Sequence, residues 1–221
     1  MKNKKTKTMI ACLALVGVIG LGSTLAYLSD KSNTLSNTFV VGSGYIPDPD
    51  LNQAVWIDET KVGEKRDNEK LYEDRTLSGN DYVNVLAGGS LTKDPVLRVN
   101  KGSVKSYVYL KVEGLDELDS KGITTTINTT DWEKVMDDGH TPDLSKNLDG
   151  IYRFKETLDP TNNVAATSAL FNTLTVSVDF DGENVDLNNV ELAGCAVQAV
   201  TYVDGNETPI NLVDADAPQF N

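Results

Sequence analysis

Hydrophobic and polar positions alternate along much of this chain. Leu174, Val176, Val178 and Phe180 alternate with Thr175, Ser177 and Asp179. Val108, Leu110 and Val112 alternate with Tyr107, Tyr109 and Lys111, and Leu97 and Val99 flank Arg98. Val197, Ala199, Thr201 and Val203 alternate with Gln198, Val200 and Tyr202, and Val55 and Ile57 flank Trp56. A period of two puts one side of each segment on a core and the other in water, the signature of half-buried strands. Turn dipeptides punctuate the runs: Gly88-Gly89, Lys101-Gly102, Lys121-Gly122, Asp149-Gly150, Asp181-Gly182 and Asp204-Gly205. Many short strands with turns between them predict an all-β, antiparallel sandwich. Two stretches break the alternation. Residues 58–80 are highly charged and read as a loop with a short helix; residues 131–148 are polar and read as an excursion between strands.

The N-terminus follows a different pattern. Lys2, Lys4, Lys5 and Lys7 precede an unbroken apolar run from Met9 to Leu21, followed by Thr24-Leu25-Ala26. A basic start, an apolar middle and a small-residue junction form a signal peptide, predicted to be cut between Ala26 and Tyr27. The apolar run is short of the roughly 20 residues a membrane span needs. Cys12 precedes most of that run, which excludes a lipoprotein junction. The expected organisation is a signal peptide over 1–26, an N-terminal segment over 27–44 and a β-sandwich over 45–221. Residues 27–36 are polar and read as flexible.

Cleavage changes the charge picture. It removes four lysines and no acid, so the net charge moves from −13 to −17. That excess disfavours nucleic acid and anionic lipid as partners. One cysteine, Cys195, remains, so no disulfide can form within the mature chain, and its place in an apolar run predicts a buried, inert thiol.

Candidate chemistry is sparse. The single histidine, His140, lies among Asp137, Asp138 and Asp143. These four are the weak metal candidates; a solvated acidic loop accounts for them as well. One histidine excludes a His-Glu-x-x-His zinc site, and no Gly-x-Ser-x-Gly turn accompanies it. The run Asp181-Gly182-Glu183-Asn184 with Asp186 lacks the spacing of a 12-residue calcium loop and reads as a hairpin turn. No catalytic residue and no cofactor is expected, beyond a weakly held divalent cation such as Ca²⁺.

Several motifs carry a resemblance. Gly22-Ser23-Thr24-Leu25-Ala26-Tyr27-Leu28-Ser29-Asp30 is followed by Asn37-Thr38-Phe39-Val40-Val41-Gly42. Leu91-Thr92-Lys93-Asp94-Pro95-Val96 leads to Asn100-Lys101-Gly102-Ser103 and Tyr107-Val108-Tyr109-Leu110-Lys111-Val112. Leu170-Phe171-Asn172-Thr173-Leu174-Thr175-Val176 precedes Ala196-Val197-Gln198-Ala199. In this order the set resembles the TasA/camelysin family of Gram-positive bacteria, with a charged insertion over 45–85 where the family connection is shorter. The resemblance implies a jelly-roll sandwich exported by a SipW-type signal peptidase into the extracellular matrix. It implies a biofilm-fibre subunit whose N-terminal segment inserts as a strand into the next copy, beside other matrix proteins. Camelysin-type relatives are also classed as cell-surface metallopeptidases, and a monomeric surface adhesin is a third reading.

Strand donation also has a physical basis in the residues. Leu35, Asn37, Phe39 and Val41 fall on one face of an extended segment that includes Thr38 and Val40. Such a strand can add to a sheet edge in a neighbour or pair within its own chain. The sequence leaves both destinations open.

Overall fold

A computed structural model describes residues 30–32, 44–62, 74–77, 79–80, 82, 86–135, 147–180, 190–204, 206–211, 218 and 220. Its strands are β1 (Asp30–Ser32), β2 (Val55–Thr60), β3 (Arg75–Thr76), β4 (Ser90–Thr92), β5 (Val96–Val99), β6 (Ser106–Glu113) and β7 (Ile123–Thr125). They continue as β8 (Trp132–Lys134), β9 (Gly150–Phe154), β10 (Ala165–Ala166), β11 (Thr173–Val176), β12 (Glu191–Gln198), β13 (Val200–Val203) and β14 (Asn206–Pro209). All their pairings are antiparallel. The chain is an all-β sandwich, as the alternation predicts.

One layer is the sheet β1-β12-β6-β9-β8. The other is built from two ladders, β10-β5-β2-β3 and β4-β11-β7. These join end to end: Lys93 N–H donates to the Asn172 carbonyl, Leu170 N–H to that of Pro95 and Thr167 N–H to that of Leu97. Between the layers, Val108, Leu110, Val112, Tyr152, Trp132 and Ala196 face Val55, Ile57, Leu97, Val99, Leu174 and Val176. Trp132 and Phe154 meet edge to face at 5.2 Å. At about 25 cal/mol per Å², this burial supplies the main stabilisation of a fold that has no disulfide among its described residues.

The structure revises several expectations. The alternation through Val178 and Phe180 outlasts its strand: β11 ends at Val176, and Val178 is 77% exposed. The run from Val197 to Val203 divides at Ala199, because β12 pairs with β6 whereas β13 turns to pair with β14. At the predicted Asp204-Gly205 turn, Val203 pairs with Asn206 across β13 and β14, and Asp204 has a φ of 52°. Gly150, however, is no turn residue; it pairs with Val112 inside the ladder. The polar excursion over 131–148 begins with a strand, β8, whose Trp132 is buried in the core.

The one helix among the described residues is α1 (Leu115–Ser120). The alternation pattern predicts no helix there, and this one is far too short to cross a membrane. Its first N–H groups are capped from a distance: the Asp149 carboxylate accepts from Gly114 N–H at 3.0 Å and Leu115 N–H at 2.7 Å. The Asp116 carboxylate in turn accepts from Leu148 N–H. The helix stops at Gly122, whose φ of +81° is left-handed.

Candidate assembly edge

The candidate site is the β1 edge of the first layer. Its platform is β12, which pairs with β6 along its whole length, from Glu191 opposite Glu113 to Gln198 opposite Ser106. On the other side of β12 lies β1, with Asp30 opposite Ala196, Lys31 opposite Cys195 and Ser32 opposite Gly194. Strand β1 therefore begins four residues after the predicted cleavage junction. Three polar residues carry no alternation signal, and residues 27–36 read as flexible; the open edge of β12 supplies the order that β1 cannot specify for itself. The middle of β12 is Ala193-Gly194-Cys195-Ala196, with Gly194, Cys195 and Ala196 fully or nearly fully buried.

The outer face of this layer carries a second apolar cluster. Tyr109, Val135, Cys195 and Val197 are buried there, with Tyr107, Ile151 and Phe220 packed against them. The C-terminal part of the chain reaches this face. Tyr107 Oη donates to the Ile210 carbonyl at 3.0 Å, and Ile210 N–H donates to that of Ala199 at 2.8 Å. Cys195 is fully buried in this cluster, as its place in an apolar run predicts.

A charged cluster joins β2 and β3, whose Asp58, Glu59 and Arg75 fall within the 58–80 stretch read as a loop with a short helix, to Lys93 and Asp94, just before β5, and Arg98 on it; among the described residues of that stretch the structure has strands. Arg75 Nε and Arg98 Nε both donate to the Asp58 carboxylate, whose side chain is 1% exposed. Arg75 also donates to Asp94 Oδ2 at 2.9 Å and to the carbonyls of Asp58 and Asp94. Asp94 accepts from Thr60 N–H and Oγ1. Lys93 Nζ pairs with Glu59 at 3.1 Å, and Asn80 Nδ2 donates to the same carboxylate. Burial pulls the Arg75 pKa down, but hydrogen bonds and charge from Asp58 and Asp94 outweigh it and leave it raised. Three acids face three bases, so this cluster compensates itself. Its work is to pin the root of the 61–74 excursion to the sheet, where Lys61 N–H also donates to the Asp74 carbonyl.

The cleavage residues Ala26 and Tyr27 lie outside the described residues. So do the candidate donor residues Leu35, Asn37, Thr38, Phe39, Val40 and Val41, the acidic loop with Asp137, Asp138, His140 and Asp143, and Asp181 to Asp186. Among the described residues no group of three or more His, Cys, Asp or Glu side chains is placed to hold a metal ion.

The fold and this edge define the chain as an antiparallel β-sandwich with an N-terminal strand added at one sheet margin. No family model, curated protein or solved structure matches the chain.

Proposed function

We propose that this protein is a secreted structural subunit of an extracellular matrix or surface fibre, and that its copies join head to tail through the N-terminal segment once the signal peptide is removed. In this reading it is a building block with no catalytic activity of its own. The observation that carries the reading is the position of β1: a three-residue strand on an outer sheet margin, just after the predicted junction. A strand so short is held by few main-chain bonds and exchanges readily for the same strand of a neighbour. The following residues Leu35, Phe39 and Val41 offer apolar side chains to a neighbour's groove. A head-to-tail contact of this kind does not close on itself, so it propagates into a filament. Before export, the segment is tied to the membrane by the signal peptide and has no neighbour to enter. The resemblance to TasA/camelysin proteins, read from the ordered motifs, points the same way. A SipW-type peptidase is the matching export partner, and other matrix proteins are the matching associates.

The test compares two soluble forms, one beginning at Tyr27 and one at Gly42, by size-exclusion chromatography and negative-stain electron microscopy. Filaments from the Tyr27 form alone are the expected result. Monomers from both forms at every concentration, salt and pH would overturn the reading.

A further inference from the structure

The outer face of the ladder β4-β11-β7 differs from the rest of this acidic protein. Its three strands contain no charged residue, whereas 24% of the chain is charged. Leu174, Val176 and Ile123 point into the core, so the alternate positions point outward. Those positions are hydroxyls, set in register. Thr175 lies opposite Ser90 on one side and Thr124 on the other, and Thr173 lies opposite Thr92. All five are exposed. Thr126, also exposed, follows Thr124 by two residues and continues the second row.

These rows border a groove of about 370 Å³, lined by Thr124, Thr126, Ile127, Asn172, Thr173 and Thr175. Beyond the Ser90–Thr175–Thr124 row lie Leu86 and Val178, 72% and 77% exposed, the most exposed large apolar side chains among the described residues. The turn that carries Leu86 is tied to β11's end, because Gly88 N–H donates to the Ser177 carbonyl at 3.1 Å.

We infer that this face binds an uncharged polysaccharide. Each hydroxyl offers one donor and two acceptor positions, the same complement as a sugar hydroxyl. Threonine is β-branched and stiff at χ1, so holding it in a binding rotamer costs little entropy. Leu86 and Val178 leave exposed apolar surface at the end of the ladder, available to the C–H face of a sugar ring on a chain longer than the groove. A polyanion meets no counter-charge here and is repelled by the net charge of −13. A polycation finds no carboxylate in the rows. A protein partner is disfavoured by the lack of any aromatic anchor among the groove residues. This inference goes beyond the assembly reading and stands whether or not the chain forms fibres.

The experiment is affinity electrophoresis of the intact protein in native gels containing dextran, hydroxyethyl cellulose or dextran sulfate. A neutral glucan is expected to retard the protein. Thr124→Val with Thr175→Val, which keeps β-branching and removes two hydroxyls, is expected to weaken the apparent affinity roughly tenfold at an unchanged melting temperature. Thr92→Val with Thr173→Val is a second, independent pair should the first lower the melting temperature. Passage past both neutral glucans without retardation, retardation by dextran sulfate alone, or undiminished retardation of both variant pairs would each overturn the inference.

Discussion

Lys31 sits directly opposite Cys195 in the antiparallel ladder between β1 and β12. Directly opposed residues in such a ladder have Cα atoms about 4.5–5.5 Å apart, inside the range a disulfide bridges. Cys195 is the one cysteine left once the predicted signal segment is gone. The pair is therefore a reporter for where β1 lies.

The first prediction uses this reporter. A mature Lys31→Cys variant, oxidised as a dilute monomer, is expected to lose both free thiols with no change in size. The same variant, oxidised after assembly, is expected to give a ladder of covalent multimers on a non-reducing gel. Intramolecular bridges alone, even within fibres, would show that β1 never leaves its own chain, and strand exchange would be ruled out.

A second prediction concerns the charged cluster. Removing the Asp58 carboxylate leaves Arg75 and Arg98, only 17% and 16% exposed, without their shared acceptor. Breaking one side of a buried pair costs about 3–5 kcal/mol. Asp58→Ala is therefore expected to lower the unfolding free energy by roughly 3 kcal/mol in a urea titration. Glu207→Ala removes a pairing with Lys105 in which the side chains are 45% and 32% exposed, and should cost less than about 1 kcal/mol. Equal effects from the two variants would mean the cluster is not the anchor of the excursion.

The third prediction is the pH dependence. Asp131 accepts from Ser168 Oγ at 2.6 Å and Asn128 Nδ2 at 2.9 Å, and these bonds, that of Ser168 foremost, hold its pKa below the ordinary 3.8. Asp159 is lowered in the same way by Thr161. A depressed carboxyl contributes stability that is present above its unfolded pKa and lost as pH falls through its folded one. Thermal stability should therefore decline from near pH 3.8 downward, and less steeply in Asp131→Asn. Tyr152 has the opposite sign: burial, with the charges of Asp116 and Asp149, raises its pKa above the ordinary 10.0. Its contribution is complete below pH 10 and is lost as pH rises beyond it. Differential scanning fluorimetry across both limbs checks this; an acid limb identical in Asp131→Asn would remove Asp131 from the account.

Much of the sandwich was legible in the chain. The alternation of Val108, Leu110 and Val112 marks the core side of β6 because a strand's side-chain period is two whatever it pairs with. Asp204 turns the chain between β13 and β14 at a φ of 52°, a conformation Asp adopts more readily than most residues. Gly114 and the acidic Asp116 and Glu117 were the available signals for α1. They were weak because the groups that complete the cap come from Asp149, 35 residues from Gly114.

Local order and composition suffice for the strand-rich class, the faces of the long strands, the acidic balance and the basic-then-apolar leader pattern. Tertiary structure decided what depends on partners remote in the chain. Asp30–Ser32 is a strand because β12 leaves an edge for it, and Arg75 is an anchor because Asp58, Asp94 and Arg98 converge around it. Ser90, Thr175 and Thr124 form one row only because three strands far apart in sequence pair in that register. A hydroxyl on one strand is an ordinary exposed residue; its neighbours across the sheet make it part of a surface.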